Sequence, residues 1–305
     1  MKKCLLIINP HSGRRHKKFN FEKIRNIFLK YNYDVNIAFT EYKGHAKRLV
    51  LSATADLVVS VGGDGTFNEV MTGNFERKNK ILISHIPIGT ANDIGAMYGY
   101  KKSIYKNIEL LLSGSVKGID ICTINGFPFT YVAALGKFTN ISYDTPRKLK
   151  RSFGYLAYLL EGLKELKKKP VNYNIEYYIN GEYHKTNAIF MLVSNANRIA
   201  GINNFYHDIK LDDNRFEVLF CTLNNQKEIV RSLYHLKDDD IKTLNGFKFY
   251  KTNYLKIKFD KPILKGWSID GEELIDKNEE FEIKIVRNVK ILIPNKNIEK
   301  LFIKE

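Results

Sequence analysis

The stretch best equipped for chemistry is Val58-Val59-Ser60-Val61-Gly62-Gly63-Asp64-Gly65-Thr66-Phe67-Asn68. A run of apolar β-formers enters three glycines and leaves as a helix. Glycine lets the backbone turn sharply and approach a ligand closely. Free N–H groups at the following helix start can hold phosphate oxygens. Thr66 adds a hydroxyl. Asp64 is a carboxylate placed to face a divalent cation or a reacting hydroxyl. A tight strand-to-helix turn with no ligand would use the same residues, so the neighbouring loops decide. Asn9-Pro10-His11-Ser12-Gly13 and Pro87-Ile88-Gly89-Thr90-Ala91-Asn92-Asp93 are also glycine-containing and hydroxyl-bearing, and each follows an apolar run. Three such loops point to a shared phosphate site more than to three unrelated turns. There is no G-x-x-x-x-G-K-[ST] loop and no G-x-G-x-x-G fingerprint, which disfavours a P-loop NTPase and an ordinary dinucleotide-binding enzyme.

Strands and helices must alternate for those loops to meet. Cys4 to Ile8, Val35 to Thr40, Leu57 to Val61 and Ile81 to Ile88 read as strands. Between them, Phe21 to Tyr31 and Gly44 to Ala53 carry helical spacing. This order predicts a parallel, doubly wound sheet with helices on both faces. Ligands of such sheets bind beyond the carboxyl ends of the strands, where the three loops fall. From about residue 120, strand signals take over: Phe129 to Ala134, Tyr173 to Ile179, Ala188 to Ser194, Arg215 to Leu223, Tyr254 to Phe259 and Glu280 to Ile285. Asn180-Gly181 between two β-rich runs reads as a hairpin turn. One amphipathic helix, Phe153 to Lys168, interrupts them. The expected fold is therefore α/β, with an N-terminal parallel-sheet domain at 1–122 and a mostly antiparallel β-sandwich at 123–289.

The chain of 305 residues is 44% hydrophobic and 27% charged, values that support a packed core. Its formal net charge is +16, which favours an anionic partner: nucleic acid, an acidic membrane or a phosphorylated ligand. No nucleic-acid-binding pattern accompanies the charge, so nucleic acid is not expected. Cys4, Cys122 and Cys221 are odd in number and far apart, which argues against a disulfide framework and for a reducing, cytoplasmic setting. The N-terminal apolar run stops at Asn9-Pro10, too short for a secretory leader, and no run is long enough to span a bilayer. No H-x-x-x-H pair supports catalytic zinc. Asp238-Asp239-Asp240 reads as a solvated cap or loop.

Gly62-Gly63-Asp64-Gly65-Thr66, with Asn9 to Gly13 before it and Pro87 to Asp93 after it, resembles the catalytic domain of the soluble bacterial diacylglycerol kinase family. That family also holds sphingosine and ceramide kinases and is distantly related to NAD kinases. Tyr131 to Gly136, Phe153-Gly154-Tyr155, Leu211-Asp212-Asp213 and Asp270-Gly271-Glu272 are similar to its later landmarks. The resemblance implies a lipid kinase that uses ATP and Mg²⁺, with diacylglycerol the leading acceptor. A sphingoid base, a polyprenol or NAD is the alternative. It also implies that residues 290–305 return to the first domain. By similarity, Asn9, Pro10, His11, Ser12, Gly13, Thr40, Gly62, Gly63, Asp64, Gly65, Thr66, Phe67, Asn68 and Thr90 would contact ATP. Asp64 would organise phosphates and Mg²⁺ through water. Asp270 and Glu272 would supply the base, without a choice between them. A structural Mg²⁺ would sit at Asp213 with the carbonyls of Lys210 and Arg215.

The sequence departs from the family pattern in places. Ala91 stands where a second glycine is usual, and Asn214 replaces the glycine after Asp213. Asparagine tolerates left-handed backbone better than most residues. Basic groups at Arg14, Arg15, Lys17 and Lys18, at Arg147, Lys148, Lys150 and Arg151, and at Lys167-Lys168-Lys169 suit an anionic bilayer surface. The expected enzyme is thus peripheral to a membrane and meets a lipid substrate there. Homodimers are compatible with the resemblance.

Overall fold

A computed structural model describes residues 1–13, 19–90, 92–101, 103–136, 171–199, 202–203, 205–206, 208–223, 228, 232, 243–263, 266–274, 276 and 278–303. The helix expected over 153–168, the basic groups at 14–18, 147–151 and 167–169, and the acidic run at 238–240 lie outside these residues.

In chain order the elements are β1 (Lys2–Ile8), α1 (Phe21–Lys30), β2 (Tyr33–Phe39), α2 (His45–Leu51), β3 (Leu57–Gly62), α3 (Asp64–Glu76), β4 (Leu82–Pro87), α4 (Asp93–Met97), α5 (Ile104–Leu112), β5 (Ser115–Ile124), β6 (Phe127–Phe129), β7 (Val132–Gly136), β8 (Tyr173–Ile179), β9 (Glu182–Ala188), β10 (Phe190–Ser194), β11 (Arg198–Ile199), β12 (Ile202–Asn203), β13 (Phe216–Cys221), β14 (Phe247–Thr252), β15 (Tyr254–Phe259), β16 (Trp267–Ile269), β17 (Glu272–Leu274), β18 (Glu280–Ile293) and α6 (Ile298–Leu301). They form two compact units, Met1–Ile119 with Arg287–Glu305, and Asp120–Val286.

The first unit is the doubly wound α/β layer that the alternation implies. Its strands run in the order β2-β1-β3-β4, all parallel. Ile291 of β18 pairs with Ile83 of β4, again in parallel. Every residue of β3 is buried, as expected of a strand covered on both faces. Helix α1 starts where Asn20 Oδ1 accepts the Lys23 N–H at 2.9 Å. Its Ile24, Ile27 and Phe28 recur at helical spacing and pack with Ile104, Ile108 and Leu111 of α5 against Leu6, Ile8, Val59 and Val61. Helix α3 packs on β3, β4 and α2. Strand order reverses between β1 and β3, and that reversal opens the crevice in which such sheets bind ligands.

The second unit is a two-sheet sandwich. One sheet carries β9, β8, β15 and the start of β18, antiparallel throughout. The other runs β14-β13-β10-β7-β16-β17, also antiparallel. Asn180 and Gly181, at φ +51° and +89°, form the turn joining β8 to β9. Tyr177, Phe259 and Phe281 of the first sheet interleave with Phe216, Phe220 and Trp267 of the second. The Tyr177 and Phe220 rings lie 4.6 Å apart, and Trp267 and Phe281 lie 5.6 Å apart. Burying each such side chain stabilises by roughly 1.5–3 kcal/mol. The three cysteines are buried and free. Among the described residues, no helix is long and apolar enough to cross a membrane.

Candidate functional site

The three glycine loops leave the carboxyl ends of β1, β3 and β4, and hydrogen bonds join them into one rim. Asn9 is the hub on one side. Its N–H donates to the Val61 carbonyl at 2.9 Å, and its Nδ2 donates to Thr66 Oγ1 at 3.0 Å. Its Oδ1 accepts the His11 N–H at 3.0 Å, folding its own loop. On the other side, the Ile88 and Gly89 N–H groups donate to the Gly62 carbonyl at 2.7 and 3.1 Å. Thr40, buried at the end of β2, donates its N–H to Ile8 at 2.9 Å. Asn9 to Gly13, Thr40, Gly62 to Asn68 and Thr90 therefore gather along one edge of the sheet. Pro10 and His11 lie in the turn after β1, Phe67 is buried on the face of α3 that packs on the sheet, and Thr90 is exposed.

Two glycines permit this approach. Gly13 stands at φ +90°, and a Cβ there would strike the Ile88 carbonyl oxygen. A Cβ on Gly89 would lie 2.6 Å from Gly63 Cα and 2.9 Å from Asn92 Oδ1. Gly89→Ala must therefore push the β3 and β4 loops apart, an overpacking cost of about 1–3 kcal/mol. We expect ATP to bind about 5–100-fold more weakly to this variant, measured by calorimetric titration.

Helix α3 begins after Gly63 with no capping side chain, so its first-turn N–H groups and dipole face the rim. The carboxylate of Asp64 is 8% exposed and accepts the N–H groups of Asp93 and Ile94 at 3.1 and 3.3 Å. It ties the start of α3 to the start of α4. Glu69, one turn further on, accepts the N–H groups of Gly44 and Ala46 at 2.8 and 3.1 Å. This clamps the loop between Thr40 and α2. In the sheet beneath, His85 Nδ1 lies 2.9 Å from Ser60 Oγ, and its ring packs on Phe67.

In the second unit, Asp270 and Gly271 form the tight turn between β16 and β17, at φ +48° and +86°. The Asp270 carboxylate is buried. Its Oδ2 accepts the Thr130 N–H and hydroxyl, both at 2.7 Å, and its Oδ1 accepts the Tyr131 and Val132 N–H groups, both at 3.0 Å. A carboxylate offers about four acceptor positions, and all are engaged here. Glu272 follows on β17 and is exposed. Asp213 Oδ1 accepts the Arg215 N–H at 3.1 Å, and Lys210 is half-buried on the preceding segment. Burial, then the charges of Glu217, Asp270 and Asp120, push the Cys122 thiol well up, so it is an inert core residue.

The structure gives roles to residues that motif reading left without one: Glu69 and Asp93 at the rim, His85 in the sheet beneath it, and Thr130 around Asp270. Glu69 had a usable signal, an acid lying four residues past the glycines with an uncapped helix to serve. The others depend on pairings across strands.

The rim, the helix start and the doubly wound sheet define a nucleotide-binding phosphotransferase of the glycine-loop type, built without a P-loop. The family described as diacylglycerol kinase catalytic domain matches residues 3–124. The diacylglycerol kinase of Bacillus subtilis (strain 168) is 29% identical over 307 residues, covering 99% of both chains. That of Staphylococcus saprophyticus is 32% identical over 232 residues, 75% of each chain. A solved diacylglycerol kinase of Bacillus anthracis str. Sterne superposes with a TM-score of 0.74 at 19% identity, over 96% of this chain and 97% of that one, and so shares the fold. The chain belongs to the diacylglycerol kinase family, a family of ATP-dependent lipid kinases.

Proposed function

We propose that this protein transfers the γ-phosphate of ATP to the hydroxyl of diacylglycerol, giving phosphatidic acid, and works from the surface of an anionic bilayer. The observation that carries the reading is the gathering of three glycine loops beside the uncapped start of α3, at the strand-order reversal. The named acceptor of the relatives supports diacylglycerol over NAD, a sphingoid base or a polyprenol. Backbone N–H groups at the start of α3 would hold phosphate oxygens, with the rest of Gly62 to Asn68, the Asn9 to Gly13 loop, Thr40 and Thr90 lining the nucleotide. Phosphoryl transfer needs positioning and charge neutralisation more than covalent help.

The rim fits Mg²⁺. Asp64 places a carboxylate at the start of α3, beside Asp93 at the start of α4, whose N–H it accepts. Hard oxygen donors in small number suit a cation that fills its shell with water and nucleotide phosphates. Bound there, Mg²⁺ supplies charge neutralisation. Glu272 accepts the proton of the lipid hydroxyl, and Asp270 positions the hairpin that carries it. The net charge of +16 draws the protein to an anionic surface, each nearby basic residue contributing roughly 1 kcal/mol.

The test supplies purified protein with radiolabelled ATP, Mg²⁺ and anionic vesicles containing diacylglycerol. Labelled phosphatidic acid is expected, reduced about 10²–10³-fold in Asp64→Asn. Label in a sphingoid base or polyprenol, but not in diacylglycerol, would keep the kinase and change its acceptor. Label solely in NADP when NAD is offered would overturn the reading.

A further inference from the structure

Family resemblance puts a divalent cation at Asp213, with the carbonyls of Lys210 and Arg215. We infer that in this chain the ammonium group of Lys251 is the cation of that turn, and that no resident metal ion is held there. Lys251 Nζ lies 2.7 Å from Asp213 Oδ2 and 3.6 Å from Glu217 Oε1. The other Asp213 oxygen already accepts the Arg215 N–H. The carboxylate that a metal would need is therefore already paired with a positive charge.

The position of Lys251 is fixed by the sheet. Lys251 on β14 pairs directly with Glu217 on β13, and Glu217 pairs with Ser194 on β10. Directly opposed residues share a face of the sheet and sit close together. Glu217 is 1% exposed, and a carboxylate that deep is costly unless a positive charge accompanies it. Lys251 is 30% exposed on its side chain, so its stem reaches inward while its head serves two carboxylates. An ammonium group has three donors and no demand for a fixed coordination geometry. Mg²⁺ demands a near-octahedral oxygen shell. To enter, it would have to expel Lys251 from Asp213 and leave Glu217 without its ammonium partner.

The turn is also held without a metal. Asn214 stands at φ +60°, and its N–H donates to Asp120 Oδ2 at 2.7 Å. The Asp120 N–H in turn donates to the Leu211 carbonyl at 2.6 Å. The residues present therefore do not fit the implied ion, and the charge it would supply is carried by the chain itself.

The test melts nucleotide-free protein and follows Trp267, the single tryptophan, which lies in the same unit. The midpoint is expected to stay the same in EDTA and in millimolar Mg²⁺. Lys251→Met is expected to melt about 5–10 °C lower, with part of the loss recovered in Lys251→Met/Glu217→Gln. A wild-type midpoint that falls on chelation, with the sensitivity abolished by Asp213→Asn, would overturn the inference. So would a Lys251→Met protein that melts like wild type. If Lys251→Met does not fold, the wild-type comparison of EDTA with Mg²⁺ decides alone.

Discussion

Glu272→Gln is expected to lower kcat for lipid phosphorylation by about 10²–10⁴-fold, with the KM for ATP and the melting temperature near wild type. Asp270→Asn is expected to do something different: destabilise the second unit. The contrast follows from how each carboxylate is held. Asp270 accepts two donors on each oxygen, and three of these are backbone N–H groups of consecutive residues, Thr130 to Val132. It splices the β16–β17 turn to the start of β7. An amide in its place keeps one oxygen and turns a donor toward N–H groups that need acceptors. Each buried donor left unmet costs about 1–3 kcal/mol. Asparagine tolerates φ +48°, so the backbone adds little to the loss. Glu272 lies two residues on, exposed, with its carboxylate outside that clamp. Removing its charge leaves the turn intact and removes the proposed base. Steady-state kinetics beside thermal melts separate the two roles. Should Asp270→Asn melt normally and lose kcat while Glu272→Gln stays active, the assignment is reversed.

Much of this arrangement is legible in the sequence, and the parts that are not share a cause. Buried parallel strands announce themselves as continuous apolar runs, and Leu57 to Val61 falls within one residue of β3. The glycine loops are legible because their backbone demands exclude most other residues. Strand β18 was expected only as far as Ile285, yet it continues to Ile293. The period-2 pattern fails at Val286 to Lys290, where Asn288 sits at φ +61° inside the strand. Strand β14 is hidden in the sequence because Phe247, Phe249, Tyr250 and Lys251 are only partly buried and Lys248 is exposed. That omission hides the most consequential pairing in the second unit. Lys251 meets Glu217 and Asp213 only when β14 is laid beside β13 in register. The same holds in the first unit. Asn9 and Thr66, 57 positions apart, are joined by strand order, which local periodicity does not report.

Between about pH 7.5 and 5, the first unit is expected to lose about 2 kcal/mol of stability to a single histidine. His85 is 1% exposed at the centre of β4, and burial pulls its pKa down to about 3, against a weaker opposing contribution from its hydrogen bond to Ser60. The Ser60 hydroxyl also contacts the Ser84 carbonyl at 3.2 Å. If its proton goes there, the Nδ1–H of His85 donates to Ser60 Oγ, and Nε2, which has no hydrogen-bond partner, is the unprotonated nitrogen. A bare ring lone pair is tolerable in an apolar setting, whereas an imidazolium is not. The unfolded chain binds the proton near pH 6.5 and the folded chain does not until about 3. Through that window the unfolded state holds more protons, so stability is complete above it and falls as pH falls. Each pH unit costs about 1.4 kcal/mol. Carboxylates titrate in the lower part of the same window, so the histidine is isolated by difference. His85→Leu keeps the volume and leaves Ser60 its carbonyl partner. Hydrogen exchange of a β4 peptide, compared at pH 7.5 and 5.0 after correction for intrinsic rates, reads the first unit directly, whereas Trp267 reports on the second. The wild type is expected to lose about 2 kcal/mol more protection than His85→Leu over that interval. Equal losses in the two proteins would mean that His85 is protonated in the folded state and that its ring has found a partner for the charge.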